Sequence, residues 1–202
     1  MESIIALSVF AVVSSITPGP NNLMLLASGM NYGFVKTIPH MLGVSIGFFV
    51  MCIFVGMGLS VVFTNYPLVL EVMYWAGTVY LLYLAWRIAT AGAPGETQRE
   101  SQDMVRSKPF TFLEASAFQW INPKAWAMAI SAFSTYAPAA RSWLMVAAVA
   151  ALFALINLPC VSIWALCGTG IRRWLHNPRH AHAFNVVMAL LLVATLIPTV
   201  FF

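Results

Sequence analysis

The chain has 202 residues, of which 61% are hydrophobic and only 8% are charged. Because soluble domains carry about 25% charged residues, this composition excludes an ordinary soluble protein and indicates an integral membrane protein. Basic residues in cytoplasmic loops explain the formal net charge of +4, so no nucleic-acid partner is expected.

Six apolar segments are long enough to span a bilayer as helices, which takes about 20 mostly apolar residues each. They run approximately over Ile4–Met30, Ile38–Phe63, Leu70–Ala89, Phe110–Thr135, Trp143–Leu166 and Ala183–Phe201. The predicted fold is therefore an all-α integral membrane protein with six transmembrane helices. Glu2 is the only charged residue before Lys36, so the basic region of a cleaved signal peptide is missing and the first segment is expected to remain.

Helices 1 and 4 of this prediction are broken. The first is interrupted by Thr17-Pro18-Gly19-Pro20 and the fourth by Asn122-Pro123. Each proline removes a backbone donor and clashes with the preceding turn of a helix. Irregular backbone at membrane depth is tolerated only where it lines a cavity or is buried in protein. The two breaks therefore predict a substrate site.

The two halves of the chain place their breaks at corresponding positions. We predict a first three-helix repeat over 1–90, a polar cytoplasmic loop over 91–109 and a second repeat over 110–202. Three spans is an odd number, so the second repeat must insert upside down relative to the first. Inverted repeats with paired broken helices are typical of transporters, which bind substrate near the midplane.

The basic residues predict the orientation. With six crossings, eight Lys and Arg residues fall on the side opposite the N-terminus, and only Arg141 falls on the N-terminal side. The eight are Lys36, Arg87, Arg99, Arg106, Lys108, Arg172, Arg173 and Arg179. The positive-inside rule then makes the 91–109 loop cytoplasmic and puts both termini outside, in the periplasm of a bacterial inner membrane.

The residues at the breaks suit a zwitterionic amino acid. A half-helix that begins at a break offers free N–H groups and a partial positive charge to a carboxylate, while unwound carbonyls suit an ammonium group. The predicted substrate-binding residues are Thr17, Pro18, Gly19, Asn21, Asn22, Gln119, Asn122 and Lys124. The alternative is that the amides only tie off free backbone groups at the kinks.

Two ionisable residues are considered for ion coupling. Lys124 is the one basic residue deep in an apolar stretch, where it could bind a substrate carboxylate or cycle a proton. Alternatively, it reaches water along a helix or caps a half-helix. Glu114 is the best carboxylate for proton coupling, and a solvated or capping position is its alternative.

Several other residues have structural interpretations. Asn157 and Pro159 are expected to kink segment five and border the cavity, and His40 is interpreted as interfacial because Lys36 is near. Gly29-xxx-Gly33 and Gly43-xxx-Gly47 have the small-residue spacing that allows close helix packing. The three cysteines lie in apolar runs without a CxxC spacing, so no metal site is expected.

At the two breaks the chain resembles the lysine exporter superfamily (LysE/RhtB) of bacterial amino-acid efflux carriers. The resemblance covers essentially the whole chain and rests on Thr17-Pro18-Gly19-Pro20-Asn21-Asn22, Gly29, Gly33, Gly43, Gly47 and the stretch from Phe118 to Trp126. The first motif and Trp75-Ala76-Gly77 are similar to the cysteine and O-acetylserine exporter branch (EamB-like), although homoserine, threonine and leucine exporters look alike. The resemblance implies ion-driven export of a small neutral or cationic amino acid.

The resulting hypothesis is a secondary active transporter, not an enzyme, that exports small amino acids or their derivatives by alternating access. An intramembrane enzyme would need convergent catalytic groups, and neither HExxH nor an Asp pair is present. A passive channel would show a repeated filter or a charged ring, and an uptake carrier stays an alternative. The expected partners are an amino acid, the lipid bilayer and a coupling ion, with the proton considered. A homodimer is left open, and no cofactor is expected.

Overall fold

The computed structural model describes residues 2–59, 65–91, 109–137, 142–174 and 177–196. Across these ranges the chain is helical and no strand occurs. In the first half the helices are α1 (Glu2–Ile16), α2 (Pro20–Tyr32), α3 (Phe34–Phe54, continued by a π-helical turn, Val55–Leu59) and α4 (Pro67–Ala89).

The second half begins with a short helix and an equally short break. Its helices are α5 (Phe112–Phe118, followed by a 3₁₀ turn, Gln119–Ile121), α6 (Pro123–Ser131, followed by a π-helical turn, Ala132–Tyr136), α7 (Trp143–Arg172) and α8 (Pro178–Ala194). The helix α7 continues through Pro159. The helix α8 begins at Pro178, five residues before the expected start of the sixth segment at Ala183. Asn177 caps this early start, because its side-chain oxygen accepts a hydrogen bond from the backbone N–H of Arg179 at 2.9 Å.

Both expected breaks lie where the prolines place them. Pro20 and Pro123 occupy the first turns of α2 and α6, where a missing N–H costs nothing. The axes of Ile4–Ile16 and Pro20–Tyr32 differ by 54°. The first apolar segment is therefore two half-helices that meet at an angle near Pro18.

The described helices include clear membrane-spanning segments. By length and composition, Phe34–Leu59 and Trp143–Arg172 are each able to cross a membrane, and the bent pair α1–α2 counts as a third span if it is taken as one. Many large apolar side chains point outward, among them Ile4, Leu155 and Leu190, each more than 60% exposed. Such an apolar exterior is stable against lipid tails and not against water.

Glycines set the closest helix contacts. A Cβ added to Gly29 or Gly168 would overlap backbone of Ala165 or Leu26, so α2 and α7 pack backbone to backbone. Gly43 and Gly47 contact α5 in the same way, against Phe112 and Ser116 respectively. Small residues at such crossings allow the close approach that holds membrane helices together.

Gly33 has a different role from the close packing expected of it. It lies between α2 and α3 with φ at +84°, a left-handed conformation that favours glycine. The glycine therefore turns the chain between two helices. The close helix packing expected from the Gly29-xxx-Gly33 spacing is therefore found at Gly29 and not at Gly33.

Candidate functional site

The first break is closed by side chains that bind the carbonyl end of α1. The Asn22 amide donates to the backbone oxygens of Ser15 at 2.8 Å and Thr17 at 2.7 Å. The indole N–H of Trp164 donates to the Ile16 oxygen at 3.1 Å. A helix ends with carbonyls that have no partner in the helix, so these bonds satisfy groups that would otherwise be bare. Asn22 therefore ties off the kink.

Asn122 performs the opposite task at the second break. Its side-chain oxygen accepts a hydrogen bond from the Lys124 backbone N–H at 3.2 Å, and its own carbonyl accepts from Ala125 and Trp126. Asn122 is only 2% exposed. It is thus the N-cap of α6, with Pro123 following at the first helical position.

Lys124 connects the two breaks. Its ammonium group donates to the Thr17 oxygen at 2.7 Å, the Thr17 hydroxyl at 3.0 Å and the Pro18 oxygen at 3.2 Å. A cation is favoured there because the C-terminal end of α1 carries the negative end of the helix dipole. The two interrupted segments therefore face each other, and a charged side chain of one caps the other.

Gly19 makes room for this lysine. Its φ of 178° is extended backbone that any residue adopts. A Cβ at this position, however, would lie 2.8 Å from Cδ and 3.0 Å from Nζ of Lys124. The missing side chain at residue 19 therefore leaves the path along which Lys124 reaches the first break.

A second link between the breaks is a pair of amides. Asn21 donates to the Gln119 side-chain oxygen at 2.8 Å, and Gln119 donates back to the Asn21 oxygen at 3.2 Å. Gln119 is fully buried and also donates to the Ala115 carbonyl at 2.8 Å. The pair is neutral, so it needs no buried counter-ion.

These groups surround a small cavity of about 20 Å³. A volume of this size holds about one water molecule and is too small for an amino acid. It is lined by Ser14, Ser15, Gly19, Asn21, Asn22, Val44, Phe48, Gln119, Asn122, Lys124, Ala125, Met128, Asn157 and Val161. The structure thus brings six of the eight predicted site residues to one small cavity. Thr17 and Pro18 do not line it and reach Lys124 through backbone oxygens and the Thr17 hydroxyl.

Two serines were missed by sequence reasoning: Ser15 lines the cavity, and Ser45 bonds to the lining residue Asn157. Asn157, which was expected at the cavity, donates to the Ser15 hydroxyl and accepts from the Ser45 hydroxyl, both at 3.0 Å. This chain of bonds joins α1, α3 and α7. The signal was available, because polar residues inside apolar runs rarely face lipid.

Ser45 also completes a motif that was overlooked. Residues 43–47 match the G-x-S-x-G string of hydrolase nucleophile elbows. That motif needs a sharp strand-to-helix turn, whereas Ser45 lies inside the continuous helix α3 and bonds to Asn157. The string therefore reflects helix packing and does not provide a catalytic serine.

Glu114 is not brought to the cavity. Its carboxylate accepts hydrogen bonds from the backbone N–H and the hydroxyl of Thr111, both at 2.8 Å, and its own N–H donates to that hydroxyl. These are the reciprocal bonds of a capping box at the start of α5. The structure therefore gives Glu114 the capping position.

His40 is buried and not interfacial. The side chain is only 1% exposed, and its ring lies 5.0 Å from the Phe110 ring. The expectation failed because Phe110 packs over the His40 ring, whereas Lys36, one helical turn earlier in α3, is exposed. Within the residues described, no three His, Cys, Asp or Glu side chains are grouped as a metal site would require.

Comparison with known proteins agrees with this architecture. The family model of the LysE type translocator matches residues 12–195. Curated relatives named cysteine/O-acetylserine efflux protein, from Escherichia coli K12, Escherichia coli O9:H4 strain HS and Shigella flexneri, are each 31% identical over 186 residues, which is 91% of this chain and 90% of the relative. No solved structure gives a significant match. The chain therefore belongs to the LysE type translocator family, as a membrane protein of a group of efflux transporters and not of enzymes.

Proposed function

We propose that this protein exports small neutral amino acids of the cysteine and O-acetylserine class, by alternating access around the cavity between the two breaks. Family membership and the relatives' names support export of this class. The main support for this position of the site is the contact of the Lys124 ammonium with the Thr17 and Pro18 carbonyls.

The carboxylate of the substrate would bind beside Gly19. The Lys124 ammonium lies next to Gly19, the N-cap residue of α2. Because glycine has no side chain, it caps none of the free N–H groups at the start of this helix. The N–H groups of Asn21 and Asn22 lie in the first turn of α2, where the helix supplies no acceptor. A positive side chain and a helix N-terminus together favour an anion.

The amino group and the side chain of the substrate would use neutral acceptors. The side-chain oxygens of Asn21 and Gln119 and the Ser15 hydroxyl are available to an ammonium group once the cavity opens. The described lining of the cavity has no carboxylate. A second positive charge would be repelled by Lys124 without compensation, so a zwitterion is favoured over lysine or arginine.

Helix packing supports two inverted repeats. If helix 1 (α1 and α2) corresponds to helix 4 (α5 and α6), then helix 2 (α3) corresponds to helix 5 (α7). At the level of whole helices, the packing of helix 1 on helix 5 then has its counterpart in the packing of helix 4 on helix 2. Each pair has glycines at its closest contact, in α2 and α7 for the first pair and in α3 for the second. Six spans with this exchange symmetry would let two similar halves rock around the cavity.

The proposed orientation comes from charge. The excess of Lys and Arg on one side of the six-span arrangement makes the 91–109 loop cytoplasmic and puts both termini outside. The relatives' names favour movement of substrate outward. Alternating access itself works in either direction, so the ion gradient sets the direction of net flux.

The test is counterflow with the purified protein in proteoliposomes. Vesicles are loaded with unlabelled cysteine, O-acetylserine, homoserine, leucine or lysine, and uptake of labelled O-acetylserine is followed. We expect trapped cysteine and O-acetylserine to drive accumulation at least about fivefold above trapped lysine, which corresponds to roughly 1 kcal/mol of selectivity. No counterflow with any of the five amino acids would contradict the proposal.

A further inference from the structure

A second cavity lies at the other end of α2. It has a volume of about 50 Å³, which is room for a few water molecules. Its polar wall consists of Ser28, Asn31, Tyr32, His40 and Arg87. Ala91 and Phe110, which flank the segment 92–108, complete this end of the cavity. We call it the His40 chamber.

His40 is the unusual member of this chamber. Among the described residues, neither ring nitrogen has a hydrogen-bond partner, and no other buried side-chain nitrogen or oxygen is in this position. Buried polar groups are nearly always satisfied, because an unmade hydrogen bond inside a protein is expensive. An unpartnered imidazole beside a water-sized space therefore has room for water or a proton carrier.

The neighbouring polar groups do not need His40. The Ser28 and Thr37 hydroxyls lie 2.9 Å apart in a mutual hydrogen bond. Asn31 and Asn185 exchange hydrogen bonds of 2.8 and 3.1 Å, and Asn185 also donates to the Ala91 carbonyl. The chamber thus holds a satisfied polar frame around one imidazole that has no partner among the described residues.

The charged and titratable groups around His40 are few. Tyr32 of α2 and Arg87 of α4 face the chamber, and the Arg87 guanidinium lies 5.8 Å from the Phe110 ring centre. Glu114 of α5 is engaged by Thr111, and Arg172 of α7 lies against Gly33 outside the chamber. No carboxylate lines the chamber within the described residues.

We propose that His40 carries the proton whose entry drives export, an inference that rests on the proposed function. Histidine changes charge between about pH 5 and 8, within the range of the two faces of a bacterial membrane. When the protein is open to the outside, the neutral ring would take a proton that reaches it from the outer face past the substrate cavity. It would release the proton to cytoplasmic water at the end of the chamber beside Ala91 and Phe110. On uptake an N–H bond forms as an O–H bond of hydronium breaks, release reverses this exchange, and the amino acid moves the opposite way.

Arg87 supplies the link between the proton and conformation. A protonated His40 would place a second positive charge in a small chamber that already holds a guanidinium. Like charges in a poorly solvated space repel, so protonation favours the conformation in which the chamber is wider and wetter. Proton binding thereby shifts the population between two states.

The helix α3 would transmit this shift to the substrate cavity. Val44 is one helical turn from His40 and lines the substrate cavity, as does Phe48 one turn further. Ser45 holds Asn157 of α7, and Gly43 packs on the backbone of α5. A movement of α3 at His40 would therefore change the cavity wall at Val44.

The test separates coupling from binding. His40→Gln keeps a polar side chain of similar reach but does not titrate, and His182→Gln changes an exposed histidine of α8 as the matched control. In proteoliposomes with a trapped pH indicator, we expect wild type and His182→Gln to move protons inward as O-acetylserine leaves. We expect His40→Gln to retain counterflow within about twofold and to lose gradient-driven accumulation by at least about tenfold, with a flat pH profile.

Proton-coupled accumulation by His40→Gln at the wild-type level would overturn the inference while leaving the proposed function intact. Absence of counterflow in wild type would instead contradict the proposed function. If His40→Gln also loses counterflow, the inference is tested by ¹⁵N NMR of wild-type protein with labelled histidine. The His40 signal is identified as the one that is missing from the spectrum of the variant. A ring that titrates between about pH 5 and 8 and responds to substrate supports the inference, and a ring that does neither overturns it.

Discussion

Asn21 and Gln119, separated by 98 positions in the chain, hold each other through two reciprocal amide hydrogen bonds of 2.8 and 3.2 Å. Asn21 lies in the first turn of the half-helix after the first break, and Gln119 lies just before the second break. The pair closes the cavity in this conformation. Because each amide both donates and accepts, the proposed mechanism has the same groups turn to a substrate when the breaks move apart.

This pairing predicts non-additive effects of mutation. Asn21→Ala leaves the buried Gln119 amide short of a partner, which should lower the free energy of unfolding by about 1–3 kcal/mol. The double variant with Gln119→Ala should cost less than the sum of the two single changes, by about 1 kcal/mol. Unfolding in mixed micelles measures all four proteins, and Ser8→Ala, which removes a bond within α1, is the control. Strict additivity would show that the two amides do not interact.

Gly19→Ala tests the path of Lys124 without disturbing the fold. The backbone at residue 19 is extended and accepts alanine, so stability should change by less than about 1 kcal/mol. The new methyl group would displace the Lys124 side chain, and labelled O-acetylserine counterflow should fall at least about fivefold. Gly170→Ala, with open space around its Cβ, should leave transport unchanged. Wild-type counterflow by Gly19→Ala would remove this role for the glycine.

The crossing of α2 and α7 should be intolerant of a single methyl group. A Cβ on Gly168 would overlap the Leu26 carbonyl, which belongs to backbone and cannot rotate away. We expect Gly168→Ala to lower the free energy of unfolding by about 1–3 kcal/mol, the usual cost of overpacking. Gly170→Ala, two residues further along the same helix, should have no measurable effect. Equal stability of both variants would mean that this contact is looser than the structure shows.

The topology predicts where reporter domains become active. Alkaline phosphatase fused after residue 202 should be active, because the C-terminus is proposed to lie outside, and the same enzyme inserted after residue 100 should be inactive. A fluorescent protein that matures only in the cytoplasm should show the reverse pattern. The opposite result at both positions would invert the orientation, and agreement between the two positions would contradict three spans, an odd number, between residues 100 and 202.

The sequence predicts the breaks well because their cause is local. Proline at positions 18, 20 and 123 acts on the adjacent turn of helix, whatever surrounds it. The asparagines beside the prolines are also understandable locally, since Asn122 caps the helix that starts at the next residue. Segment bounds shifted by a few residues where caps such as Asn177 started a helix early.

Contacts between residues that are far apart in the chain could not be predicted from the sequence. Nothing in the chain near Lys124 indicates that its ammonium binds the Thr17 carbonyl, because that contact joins residues 107 positions apart. His40 was misjudged for a similar reason. A basic neighbour at Lys36 suggested a surface, but Phe110 from another part of the chain packs over His40, one helical turn further along α3.

The most direct test of the shared site is O-acetylserine counterflow by Lys124→Met, compared with Lys36→Met, which removes an exposed lysine of α3. Losing a charged contact to the substrate is worth about 1.5–3 kcal/mol, so we expect the concentration for half-maximal counterflow to rise at least about tenfold. Lys36→Met should match wild type. If Lys124→Met, folded and reconstituted in equal amount, shows the wild-type concentration dependence, the substrate does not bind where the two breaks meet.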